Sequence, residues 1–191
     1  MPIRDPKTVY FCVDLEASGP APGLFNMISA GAVVVRLEGD AHARGAEFYR
    51  EIVPEFPGWD PATEPIHKLT REHLKAHGVP TRQALNELTA FVEANLRPGE
   101  RPLFVGHNAP FDWMFVAWHY AWAEQANPFG YNALDTKALF MGRDALPWKQ
   151  CNKETLVERY PQLTPPPAEL VHNAVADARF QADILIALLD A

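Results

Sequence analysis

Two carboxylates at the end of one apolar run are the residues of this chain most in need of a chemical explanation. In Val9-Tyr10-Phe11-Cys12-Val13-Asp14-Leu15-Glu16-Ala17-Ser18-Gly19, β-branched and aromatic residues lead into a Gly-containing turn, the pattern of a buried β-strand. Side chains alternate along a strand, so Asp14 and Glu16 share one face, about 7 Å apart along the backbone. Phe11, Val13 and Leu15 occupy the other face and read as core. Negative charges this close repel unless one takes a proton or a cation lies between them. A hard divalent metal held by oxygen ligands would answer that cost. Taken alone, Asp-x-Glu at a strand end is more often a solvated strand terminus, so the metal reading needs other acids to converge on the pair.

Three further residues are candidates. Asp177, Phe180, Ile184 and Leu188 fall at i, i+3, i+7 and i+11 of a C-terminal helical pattern, so Asp177 lies on the stripe that should face a sheet. A carboxylate aimed at a core is costly unless it is paired or holds a cation; a local hydrogen bond in the first helical turn is the competing reading. Asp112 follows Pro110 by two residues, where an acid also suits the helix dipole with no chemistry implied. His172 precedes Asp177 by five positions, in a loop. A loop histidine is most often merely exposed, but beside a metal-activated water its imidazole could act as general base.

The elements that must position these groups follow from periodicity and punctuation. After the first strand, a Gly/Pro-rich turn over 18–25 leads to a second strand from Met27 to Leu37. A turn at Glu38-Gly39-Asp40 leads to a third from Ala46 to Val53, giving an antiparallel meander. Pro54 to Pro65 reads as irregular, and Thr70 caps a short helix through Lys75. A helix from Thr81, with Leu85, Leu88, Phe91, Val92 and Leu96 at spacings of three and four, stops at Arg97-Pro98-Gly99. The apolar Leu103-Phe104-Val105 reads as a strand covered on both faces. Pro110 then opens a helix through about Gln125. A short strand near Leu134, a helix over 136–140, a loop from Gly142 to Trp148, a helix over 153–159, a proline run at 165–167 and a last helix over about 173–189 complete the pattern. A meander followed by alternating helix and strand predicts one α/β domain, a mixed sheet with helices on its faces.

Composition narrows the class. The 191 residues fit a single domain, and 48% hydrophobic with 21% charged content is that of an ordinary globular protein. Two cysteines, Cys12 and Cys151, supply no disulfide framework; Cys12 reads as a small core residue, and a reducing cytosol is the expected setting. The N-terminal Met1-Pro2-Ile3-Arg4-Asp5 lacks the pattern of a signal peptide and no apolar run reaches spanning length, so a cytoplasmic protein without a membrane segment is expected. The net charge of −7 argues against broad electrostatic attraction to nucleic acid, though carboxylates that hold cations can still meet phosphates through those cations.

The candidate residues sit in segments that carry a family resemblance. Asp14-Leu15-Glu16, His107-Asn108-Ala109-Pro110-Phe111-Asp112 and His172-Asn173-Ala174-Val175-Ala176-Asp177-Ala178 resemble, in order and spacing, the three motifs of the DEDDh 3′→5′ exonucleases. Ile66-His67-Lys68-Leu69-Thr70 and Asp135-Thr136 are similar to further segments of that family. The resemblance implies a ribonuclease-H-like fold with a mixed five-stranded sheet, and release of nucleotides from the 3′ end of single-stranded DNA or RNA with two Mg²⁺ or Mn²⁺ ions. By the same resemblance Asp14, Glu16 and Asp177 would ligate one ion, Asp14 and Asp112 the other, and His172 would take the proton of the attacking water. Leu15 and Ala17 would border the terminal base, Ser18 would touch its sugar, and His67 or Phe111 would line the cleft; ordinary core packing of Leu15 and Phe111 competes with this. Ala17 departs from the family, which often has Thr there. Arg143, Lys149 and Lys153 with Trp148 suggest a basic and aromatic margin for a single strand, or simply a solvated loop. A phosphodiesterase acting on dinucleotides and a catalytically silent nucleic-acid-binding module remain as rivals. A homodimer, or a polymerase or repair partner, is left open.

Overall fold

The apolar run that carries the first two acids forms β1 (Thr8–Ala17) and becomes the middle strand of a five-stranded sheet. The structure, a computed structural model, describes residues 2–191; Met1 of the N-terminal segment lies outside the described residues. β2 (Met27–Glu38) pairs antiparallel with β1, and β3 (Ala41–Glu51) pairs antiparallel with β2 at the edge. On the other side β4 (Arg101–Gly106) and β5 (Ala133–Asp135) run parallel, giving the order β3-β2-β1-β4-β5. The expected mixed sheet, an antiparallel meander followed by parallel strands, is present.

β1 is buried on both faces, as a middle strand between helical layers must be. Val9, Phe11, Val13 and Leu15 pack with Leu85, Leu88 and Val92 of α3 (Thr81–Ala94) and Phe115 and Tyr120 of α4 (Pro110–Trp122). Tyr10 and Cys12 face the other way, onto Ala178, Ala182 and Leu185 of α7 (Ala174–Asp190). Phe180, Ile184 and Leu188 of α7 pack on Phe140 of α5 (Thr136–Asp144) and Leu156 of α6 (Lys153–Arg159). The α7 stripe headed by Asp177 therefore faces inward, as its spacing predicts.

One glycine decides where α7 lands. Gly31 of β2 lies opposite Asp14, and a Cβ there would sit 2.4 Å from the backbone of Ala174. Only a residue without a side chain lets the first turn of α7 lie on the sheet at that level, which sets Asp177 beside the tip of β1.

Several boundaries differ from the sequence reading. β3 starts at Ala41 instead of Ala46, because Gly39, at φ 63°, allows a tight turn that pairs Glu38 with Ala41, and it ends at Glu51 instead of Val53, where Ile52 forms an isolated bridge with Val79. The added residues are mostly exposed edge positions, so apolar alternation is weak there. Within the stretch expected to be irregular, α1 (Glu64–His67) forms with Pro65 in its first turn, while α2 (Arg71–His77) uses Thr70 as its cap as expected. α4 stops at Trp122, and α5 continues to Asp144, closed by Ala145 in a left-handed conformation. The proline run is followed by one 3-10 turn at Ala168–Leu170.

Candidate active site

Three chain segments bring four carboxylates to one end of the sheet. Asp14 and Glu16 come from the last turns of the β1 pleat. Asp112 comes from the first turn of α4, where its Oδ1 accepts the backbone N–H of Leu15 at 3.1 Å and ties the helix to β1. The loop leading into α4 is held by Asp135, whose Oδ1 accepts the N–H of Asn108 (3.0 Å) and of Lys137 (2.9 Å) and so caps α5 as well. Asp177 comes from the first turn of α7, which Asn173 caps by accepting from Ala176 N–H at 3.2 Å. Glu16, Asp112 and Asp177 are 8%, 6% and 4% exposed.

The electrostatics are those of like charges held together. Burial raises the proton affinity of Asp14, and the neighbouring charges of Asp112, Asp177 and Glu16 raise it further. Glu16 is pushed up to about 8, first by burial and then by Asp177 and Asp112. Burial pushes Asp112 up to about 7 in spite of its bond from Leu15 N–H. Lys153 faces the cluster: its Nζ stands 3.3 Å from Asp177 Oδ1, and its charge opposes proton uptake at Asp14, Glu16 and Asp112.

His172 stands at the mouth. It is exposed, takes a left-handed backbone conformation (φ 63°), and gives its N–H to Asp177 Oδ2 at 2.7 Å. Among the described residues, Glu16, His172 and Asp177 form the group whose ligand atoms all lie within 4.8 Å of one another. Asp14 is outside this close trio, and its Oδ1 accepts Gln181 Nε2 at 2.5 Å. The other amide atom, Gln181 Oε1, is buried without a partner. Carboxylate oxygens with one imidazole, raised proton affinities and a buried orphan oxygen suit a hard divalent cation, so the residues present fit such an ion.

Beside the acids lies a cleft of about 300 Å³ whose lining includes Leu15, Ala17, Asp60, Ile66, His67 and Phe111. Four of the five residues expected to touch substrate therefore share one cleft, and the core reading of Phe111 fails because its ring is exposed. Ser18 does not line it. Its side chain is fully buried, donating to Gly58 carbonyl (2.9 Å) and accepting from Asn26 N–H (2.9 Å), because the turn after β1 uses the hydroxyl to hold the following loop. In His67, Nδ1 accepts Leu69 N–H at 3.1 Å, which leaves the proton on Nε2, buried and without a protein partner. Burial lowers the proton affinity of this ring, whose residue lines the cleft.

Other readings are redistributed. His107, which opens the second motif, bonds Thr136 Oγ1 at 3.0 Å and is pushed down to about 4 by burial and then by the charge of Lys153; it is a neutral link between β4 and α5. The basic margin comes apart: Arg143 donates to the carbonyl of Ala191, Lys137 lies over the Trp148 ring at 4.3 Å, and Lys153 turns to Asp177. Gln181 was not anticipated. Its signal was an amide one turn beyond Asp177 on the same inward stripe.

With this geometry in place, the comparisons with known proteins are direct. Residues 9–189 match the family model described as a 3′–5′ exoribonuclease Rv2179c-like domain. The chain is 30% identical over 182 residues to the 3′–5′ DNA exonuclease Cap18 of Escherichia coli, covering 95% of this chain and 92% of that protein. Among solved structures it is similar to a 3′-exonuclease in 3′-end-specific recognition of the histone mRNA stem-loop (TM-score 0.78, 13% identity, 95% of this chain), of which it spans 63%. It is similar also to the nuclease domain of 3′hExo, a DEDDh family member bound to rAMP (TM-score 0.76, 14% identity, 95% of this chain and 91% of that one). At such identities the structural likenesses establish the fold, that of the DEDDh 3′-exonucleases.

Proposed function

The chain belongs to the family of 3′–5′ exoribonuclease Rv2179c-like domains, and from that premise we propose that residues 1–191 form one exonuclease domain releasing nucleotides from the 3′ end of single-stranded DNA or RNA. A 3′–5′ exonuclease hydrolysing phosphodiester bonds is the activity; strand preference, ion count and the roles of single residues are the finer part of the proposal. The observation that carries it is the meeting of Asp14, Glu16, Asp112 and Asp177 from three distant segments, with His172 at the mouth.

DEDDh exonucleases depend on divalent metal, and this donor set suits two Mg²⁺ or Mn²⁺ ions, one held by Asp14, Glu16 and Asp177 and the other by Asp14 and Asp112. Bound there, the ions supply Lewis-acid stabilisation of the attacking and leaving oxygens of an in-line displacement. The protein's own groups do the remaining work. Leu15, Ala17 and Phe111 give the terminal nucleoside an apolar seat, and His67 lines the same cleft. The backbone N–H of His172 on Asp177 fixes the loop, so that the imidazole stands over the acids without sharing their burial. From there His172 takes the proton of the attacking water, the general-base role an imidazole nitrogen can fill.

The test uses 5′-labelled and 3′-labelled DNA and RNA strands with Mg²⁺, Mn²⁺ or chelator. Stepwise shortening from the 3′ end, lost with chelator, supports the reading. Turnover confined to dinucleotides, or binding without turnover in Mn²⁺, overturns it.

A further inference from the structure

The acid cluster carries its own cation. Both oxygens of Asp177 are engaged, Oδ2 by the N–H of His172 and Oδ1 by the ammonium of Lys153. Lys153 opens α6, and its side chain is 40% exposed against 6% for Asp177, so a flexible, half-solvated stem brings a movable charge to a fixed, buried one. Phe180 flanks the ammonium, 5.8 Å from its ring centroid. For Asp177 to turn Oδ1 to a metal ion, Lys153 must leave it: two cations on one carboxylate oxygen repel.

Where the ammonium goes is set by the two cavities that flank the acids. The substrate cleft touches the cluster at Glu16, whereas a second, largely apolar cavity of about 440 Å³ touches it at Asp177 and is lined by Lys153, Val157, Pro165, Val171 and Phe180. A strand whose 3′-terminal nucleotide fills the first cleft and whose scissile phosphate lies over the acids continues toward the second. Its next phosphate then meets the freed ammonium.

We propose that Lys153 is an exchangeable counter-ion: it occupies Asp177 until a divalent ion displaces it, and then contacts the phosphate on the 5′ side of the scissile bond. This rests on the nuclease reading of the same site and adds a positioning residue to it.

Two measurements on the full chain test the exchange. In calorimetric titration of chelator-stripped protein with Mn²⁺ alone, Lys153→Met should bind the ion roughly two- to five-fold tighter than wild type, the scale of a partly exposed ion pair, and Lys153→Arg should match wild type. Equal or weaker Mn²⁺ binding by Lys153→Met overturns the counter-ion role. In fluorescence anisotropy with a phosphorothioate-linked single strand in Mn²⁺, Lys153→Met should lower the slope of log Kd against log salt by about one phosphate contact, restored by Lys153→Arg. An unchanged slope overturns the strand contact. Asp177→Asn in the same titration separates the two levels: if it binds Mn²⁺ like wild type, the metal reading of the site itself fails, whereas its loss of binding with no effect of Lys153→Met refutes only the exchange.

Discussion

The two ends of α7 treat a carboxylate in opposite ways. At the first turn, Asp177 is buried among Asp14, Glu16 and Asp112, with one half-exposed lysine for four acids. At the last turn, Asp190 is answered on every side. His42 gives it both a ring bond from Nδ1 (2.6 Å) and a backbone N–H (2.9 Å), and Arg4 adds an ion pair at 2.6 Å. Burial would raise the Asp190 carboxyl, yet His42 and then Arg4 hold it below the usual carboxylate range. One helix thus ends in a settled ion network that secures the N-terminal segment and the β2–β3 hairpin, and begins in a cluster where four acids face a single ammonium. The difference is one of charge balance: at the last turn one acid meets two basic side chains, whereas at the first turn four acids share one ammonium, the imbalance expected where a site perturbs proton affinities.

The comparison breaks most visibly if acids at the two ends are interchangeable in activity. Asp14→Asn and Asp177→Asn should reduce release of 3′ nucleotides to background while the protein stays folded by circular dichroism; near-normal turnover would remove these acids from the chemistry. Next in size, His172→Ala should lower kcat by about 10²–10⁴-fold, the usual worth of a general base, with Mn²⁺ binding largely kept. Gln181→Leu, which frees Asp14 Oδ1, should weaken Mn²⁺ binding by roughly 10–100-fold, as loss of a group that orients a metal ligand typically does, and calorimetric titration reads this directly.

Two stability measurements sharpen the contrast. Asp14, Glu16 and Asp112 have folded proton affinities raised above those of the unfolded chain, so their contribution is fully present below about pH 4, the ordinary carboxylate range, and is lost as pH rises, for Asp112 through about 7 and for Glu16 through about 8. Chelated protein should therefore lose several °C of Tm between pH 5 and 8.5, and saturating Mn²⁺ should flatten the decline. The settled end has the opposite sign: Asp190, lowered in the fold, loses its contribution only as pH falls toward and below the usual carboxylate range. Asp190→Ala should cost about 1–3 kcal/mol by leaving His42 without its acceptor, and should leave kcat unchanged. A pH profile alike at both ends would refute the distinction.

Much of this site was legible in the chain because its parts obey short periods. Asp14 and Glu16 share a face through the two-residue repeat of a strand, Asp177 joins the core stripe through the helical repeat, and Pro110 and Asn173 mark where two helices begin. Of the residues expected at the cleft, Leu15, Ala17, His67 and Phe111 line it, Leu15 as part of the core as well, while Ser18 does not. A hydroxyl after a strand looks the same from its neighbours whether it faces a ligand or, as here, Asn26 and Gly58. The edge strand β3 was misjudged by five residues because solvent on one side removes the alternation that marks a buried strand.

What the sequence alone determined was the set of chemical groups and the face of the element each occupies, since both depend on residues only a few positions apart. Tertiary structure alone decided that Gln181 would grip Asp14 across 167 positions, that Lys153 would answer Asp177, and that Gly31 would let α7 descend onto the sheet. Those outcomes depend on how close two surfaces come after the chain has folded, and local spacing contains no record of that distance.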